Sequence, residues 1–138
     1  MILMSELLKG KKLEDLSEEI QTNLNKLLPI INNVRTLYGH PMTVSSCVRT
    51  MDEHLAIYAK KGITDKSKIP MKSKHLYGLA VDIYDPNKEL QKWCLSNEQT
   101  LKEIGVWMES FDATPNWVHF QIVPYGSYQE GKSLWFKP

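Results

Sequence analysis

The chain has 138 residues, of which 42% are hydrophobic and 24% charged, a composition that fits one folded domain and excludes a disordered or collagen-like chain. Seventeen Lys and Arg against sixteen Asp and Glu give a formal charge of +1. That balance excludes a strong overall field for nucleic acid or an anionic membrane and leaves room for a modest local basic patch.

The opening apolar run is short, is interrupted by Glu6 and has its lysines after it, the reverse of a secretory signal. No stretch approaches the length of a membrane span. A soluble chain without an export signal is therefore expected. Cys47 and Cys94 are too few and too far apart for a disulfide framework and are expected as reduced thiols.

Residues 1–38 read as the helical N-terminal part of a single domain spanning 1–138. Leu13, Leu16, Ile20, Leu24, Leu27 and Ile31 recur at helical steps, with Asp15 and Glu18 as a capping box. Pro29 predicts a kink or break, and Gly39 with Pro41 ends the segment. A short strand is expected at 42–44. Thr50 to Glu53 forms a second capping-box pattern, opening a helix to about Lys61 with Gly62 as its stop. A polar loop covers 64–74 and a strand 79–84. Asp85 and Pro86 read as N-cap and first residue of a helix over 86–95. Strands at 104–108 and 117–123 complete the reading. Helices first and strands later predict an α+β fold with a mainly antiparallel sheet.

The chemistry concentrates in two windows. In the first, Ser73-Lys74-His75-Leu76-Tyr77-Gly78-Leu79-Ala80-Val81-Asp82, strand alternation puts Ala80, Asp82 and Tyr84 on one face and Leu79, Val81 and Ile83 on the other. Gly78 lets the chain turn so that His75 folds back towards Asp82. In the second, Trp117, His119 and Gln121 face opposite to Val118, Phe120 and Ile122. If the two strands are neighbours, His75, Asp82 and His119 converge as two imidazoles and a carboxylate, a donor set suited to Zn²⁺ with a fourth position open. A strand histidine or a strand-end aspartate alone is explained by hydrogen bonding. The combined pattern HxxGxAxD arises by accident in on the order of one chain per thousand of this length.

His75-x-x-Gly78-x-Ala80-x-Asp82 followed by Trp117-Val118-His119 resembles the zinc peptidases of the M15 type. These include D-alanyl-D-alanine carboxypeptidases, dipeptidases of the vancomycin-resistance kind and phage L-alanyl-D-glutamate endolysins. The resemblance extends from about Tyr38 to the C-terminus, and Ser73 completes the family form SxHxxGxAxD. It implies a Hedgehog-like fold, zinc on His75, Asp82 and His119, and a peptidoglycan peptide as substrate. Val44-Ser45-Ser46-Cys47-Val48-Arg49-Thr50 is similar to the family's S-G-Y-R-[ST] segment through Ser46, Arg49 and Thr50, with Cys47 and Val48 replacing the usual Gly and aromatic residue. By that likeness Ser46, Ser73 and Arg49 meet substrate, and Arg49 steadies a carboxylate or an oxyanion.

The general base departs from the family. Many members carry an acid three positions before the last histidine, where this chain has Asn116. Glu109, after the apolar strand, is the preferred replacement and Asp112 the second candidate. The expected activity is zinc-dependent hydrolysis in the wall of a bacterium, by an endolysin or carboxypeptidase made in the cytoplasm, with no nucleic-acid partner and no membrane insertion. Asn116 also supports a second expectation, a non-catalytic zinc domain that binds wall peptides or belongs to a virion.

Overall fold

The computed structural model describes residues 1–138. Five helices and five strands alternate with single 3₁₀ turns: α1 Met4–Leu8, α2 Glu18–Tyr38, β1 Thr43–Ser46, α3 Met51–Lys60, β2 Ala80–Tyr84, α4 Glu89–Ser96, α5 Glu98–Ile104, β3 Trp107–Glu109, β4 Trp117–Gln121 and β5 Trp135–Phe136. The strands form one sheet in the order β1-β2-β4-β3-β5. The first three pairings are antiparallel and β3 with β5 is parallel. The fold is thus mixed α/β with a mainly antiparallel sheet. No helix is long and apolar enough to cross a membrane.

The sheet has one oily face and one polar face, as strand alternation requires. Val81 and Ile83 of β2 and Val118 and Phe120 of β4 are buried in one core cluster with Leu24, Leu27, Ile31 and Val34 of α2. Each such side chain contributes about 1.5–3 kcal/mol on burial. Leu7, Leu8 and Leu134 belong to the same cluster, so both ends of the chain share the core. Asp82, His119 and Gln121 lie on the opposite face.

Gly78 links the helical layer to the polar face. Its φ is +71°, and a Cβ there would lie 3.1 Å from Leu24 Cγ and 3.2 Å from the Ile20 carbonyl oxygen. The glycine is therefore required both for the left-handed backbone and for the close approach of α2. Asn23 Nδ2 of α2 donates to the Tyr77 carbonyl at 2.9 Å and pins the same turn.

Several local expectations are corrected. The long helix starts at Glu18 rather than directly after an Asp15 cap, because Ser17 takes the cap: its Oγ accepts from the Ile20 amide at 3.2 Å, and no Asp15–Glu18 box forms. Leu13 lies in a 3₁₀ turn, Leu13–Asp15, yet Leu13 and Leu16 still pack on the core. Pro29 does not break α2, which runs through it. Pro29 and Asn25 are both exposed, so the Asn25 carbonyl that loses its partner is left towards water while the buried stripe continues on the other side.

The first strand is displaced to Thr43–Ser46. The Thr50 capping box forms as expected, with the Glu53 amide and the Thr50 amide each bonded at 3.1 Å to the other's side chain. Asp85 is a cap at longer reach. The helix begins at Glu89, and the Asp85 carboxylate accepts from the Leu90 and Gln91 amides across the Pro86 turn. The strand expected at 104–108 is split, because Ile104 ends α5, Gly105 closes it at φ +94°, and β3 covers only Trp107–Glu109. The two-residue β5 had no sequence signal. Both cysteines are buried and free, and burial pushes the Cys47 thiol up to about 12.

Pro29→Ala should restore the missing helix bond on an exposed face. We expect a gain of about 2 kcal/mol, the loss of the proline penalty less the added freedom of the unfolded chain. Urea unfolding followed by circular dichroism measures it, and an unchanged or lower midpoint would contradict this account of α2.

Candidate metal centre

The antiparallel register of β2 with β4 sets Asp82 directly opposite His119. On the far side of β4, Met108 of β3 pairs with Phe120, so the next residue, Glu109, arrives beside His119. Carboxylate, imidazole and carboxylate thus stand in a row across three neighbouring strands. On the near side β1 pairs with β2, and its register shifts between Val44 and Ser46 so that Ser46 opposes Asp82. Such a bulge re-aims the chain leaving a strand. Here that chain is Cys47 to Arg49.

His75 sits in the 3₁₀ turn Lys74–Tyr77, closed by Gly78. Its Nδ1 lies 2.6 Å from the Cys47 carbonyl oxygen, which can only accept, so Nδ1 carries the hydrogen and donates. The Arg49 amide in turn donates to the His75 carbonyl at 3.1 Å. The two segments hold each other. His75 Nε2 is left facing Asp82 Oδ1 at 3.2 Å.

His119 is fixed in the same way from the other side. Gln121 gives its amide hydrogens to the Val123 carbonyl, and its Oε1 accepts from His119 Nε2 at 2.9 Å. That leaves His119 Nδ1 towards Asp82 Oδ1 at 2.9 Å. Each imidazole therefore spends its outer N–H on the protein and turns its inner nitrogen to one carboxylate oxygen. Arg49 Nη2 lies 3.9 Å from Asp82 Oδ2. Glu109 Oε1 lies 3.7 Å from His119 Nδ1.

Burial opposes charge on this cluster, but the partners win. Desolvation works to raise the Asp82 pKa, while the hydrogen bonds and charges of His119 and His75 hold it well below the usual carboxylate range. Burial disfavours charge on His119, yet Asp82, Glu109 and Gln121 together raise its pKa above the ordinary histidine value. Two imidazole nitrogens facing one anionic oxygen suit either a shared proton or a cation between them. The donor atoms of His75, Asp82 and His119 all lie within 4.8 Å of one another, and all three residues are buried. This N, N, O set can hold a metal ion.

The centre opens into a cleft of about 830 Å³ that Arg49, Ser73 and Glu109 also line. Ser46 does not line it; its Oγ accepts from Arg49 Nε at 3.4 Å and so touches the site through Arg49. Asp112 is exposed in the turn after β3 and does not line the cleft. Asn116 is exposed as well, and its carbonyl accepts from the Asp85 amide at 2.8 Å. Of the two candidate acids the fold brings only Glu109 to the centre. Sequence reasoning missed two contributors. Gln121 was on the expected face without a role, and the Cys47 carbonyl is a backbone contact that no side chain announces. No family model matches the chain, and neither a curated protein nor a solved structure does.

A bound metal needs both imidazoles neutral, so protons compete with it. Because the His119 pKa is raised, its interaction with Asp82 stabilises the metal-free fold at low pH and is lost as pH rises through that value. Metal affinity should move the opposite way, falling on the order of tenfold per pH unit below the raised pKa for one displaced proton. Zinc titrations and thermal melts with and without chelator, from about pH 5.5 to 8.5, should show the two trends crossing. Affinity independent of pH would remove His119 from the ligand set.

Proposed function

We propose that this chain is a zinc-dependent peptidase of the D-alanyl-D-alanine carboxypeptidase and phage endolysin type, with a Hedgehog-like fold, acting on the peptide stems of bacterial cell wall. The observation that carries the reading is the row Asp82, His119, Glu109 across β2, β4 and β3, with His75 folded over it. The motif residues that resemble the family are the ones that meet there.

His75 Nε2, Asp82 and His119 Nδ1 would hold the zinc ion. Bound there, the ion would polarise a peptide carbonyl and acidify water. Glu109, on the cleft wall beside His119, accepts a proton at its carboxylate and returns it to the departing amine. It takes the place left vacant by Asn116. Arg49, steered by Ser46 and by Asp82 Oδ2, presents a planar fork to a substrate carboxylate or to the oxyanion that forms on attack. Gln121 and the Cys47 carbonyl keep the imidazoles in the tautomers that ligation needs. Ser73 lines the same cleft.

The purified protein should bind about one zinc per chain, lost in His119→Ala, and should release new amino groups from peptidoglycan. Glu109→Gln should keep zinc and lose about a hundredfold to ten-thousandfold in rate, with Asp112→Asn much less affected. Arg49→Lys should keep zinc and fold but lose much of the activity. Zinc bound without hydrolysis of any wall substrate would instead establish the non-catalytic wall-binding reading that Asn116 supports.

Lowering only the Gln121 contact is a separate check on the centre. Gln121→Leu should leave the fold intact and weaken zinc by about 10–100-fold, as loss of an outer hydrogen bond to a ligating imidazole does. Unaltered affinity would show that β4 packing alone orients His119.

A further inference from the structure

Lys9, Gly10 and Lys11 form the turn that closes α1, and the first two carry an uncommon backbone. Lys9 has φ +51° and Gly10 φ +89°. Glycine adopts a left-handed cap freely, whereas a lysine there is strained and persists only where the surrounding structure fixes it. Ile2, Leu7 and Leu8 bury α1 in the core and so fix the start of this turn. The turn then sends two lysine side chains, one from each side of Gly10, to a single segment of the chain.

Lys9 Nζ donates to the Val44 carbonyl at 3.0 Å. That carbonyl stands at the register shift of β1, an edge strand of the sheet. Ser45, the extra residue at the shift, gives its hydroxyl to the Asp82 carbonyl at 3.2 Å, so the bulge is held from both sides. Lys11 Nζ meets both carboxylate oxygens of Glu53, at 2.8 and 3.0 Å. Glu53 is the acid that closes the capping box on the Thr50 amide. Residues 44–53 are thus held at both ends. Between the two holds, residues 47–50 belong to no helix or strand, and their placement depends on their ends. This stretch supplies the Cys47 carbonyl that accepts from His75 Nδ1, and the Arg49 amide that donates back to the His75 carbonyl.

We propose that Lys9 and Lys11 are positioning residues of the metal centre, which hold residues 44–53 at both ends and thereby seat the Cys47 carbonyl on His75 Nδ1 and the Arg49 fork beside Asp82. The inference rests on the reading of His75 as a metal ligand and adds to it two residues that do not line the cleft. The two holds differ in strength. The Glu53 side chain is 48% exposed, so water and salt weaken its pair with Lys11. Lys9 makes a charge-assisted bond to a backbone carbonyl at the bulge itself and carries the larger share.

The test has two readouts on the full chain. The first is proton–nitrogen NMR of the metal-free protein, which reports how fast the His75 Nδ1 hydrogen exchanges with water. The second is zinc affinity, measured by competition with a coloured chelator. Lys9→Met keeps the aliphatic stem and removes the donor. We expect it to speed the exchange and weaken zinc, each by about tenfold, the low end of what loss of an outer contact to a ligating imidazole costs. Lys9→Arg should restore both towards the wild type. Lys11→Met should have a smaller effect that fades with added salt. Lys12→Met, at an exposed neighbour whose side chain makes no ion pair or hydrogen bond, should change neither. Both readouts unmoved in the double variant Lys9→Met, Lys11→Met would overturn the proposal, and so would an equal loss in Lys12→Met. A lower melting temperature in Lys9→Met with His75 exchange and zinc affinity unchanged would leave the lysine a role in stability alone and overturn it as well. If the double variant fails to fold, the two single variants decide by the same readouts. A wild type that takes up no zinc refutes the metal reading, while the His75 exchange in the lysine variants still decides the positioning.

Discussion

The site depends on one pairing, β2 against β4 with Asp82 opposite His119. A slip of one residue would turn every side chain of a strand to the other face. What prevents the slip is the apolar set on the reverse side, Val81, Ile83, Val118 and Phe120, locked under α2. The polar face is therefore held in register by hydrophobic packing that never touches it. The same pairing fixes the neighbours: β1 delivers Arg49 from one side and β3 delivers Glu109 from the other.

A buried carboxylate is costly unless its partners are in place. Asp82 is 7% exposed and meets two imidazoles, with the Arg49 guanidinium nearby. Those imidazoles are in turn held by Gln121 and by the Cys47 carbonyl. The arrangement is preorganised: the inner nitrogens converge because the outer ones are occupied. The Cys47 contact is made by its backbone carbonyl, so it does not depend on which side chain stands there.

Legibility in the sequence followed range. Alternation in 79–84 and 117–123 placed the residues on the correct faces, because a strand's period is a local property. Whether those strands were neighbours was not local and needed the sheet. Thr50 announced its helix through a box of adjacent residues, whereas Asp85 capped one across an intervening turn that spacing alone could not show. Pro29 was misread because its cost was weighed without knowing that it faced water. Glu109 was preferred over Asp112 from its position at a strand end, and the register of β3 with β4 supplies the reason for its approach to His119. The two-residue β5 and the helix α5 carried no periodic pattern long enough to read. The candidate metal-holding residues were legible because His75 and Asp82 share one short motif and His119 sits on the polar face of a readable strand.

The three candidate ligands are spaced unevenly along the chain. His75 and Asp82 are 7 residues apart, but Asp82 and His119 are 37 apart. The unfolded chain must close that longer loop before the third donor arrives, so it chelates poorly. Any ion held by all three donors therefore binds the native state selectively and stabilises it by mass action. The melting temperature then becomes a function of free metal concentration, and a change to the core that never approaches the ligands will register as a change in metal affinity.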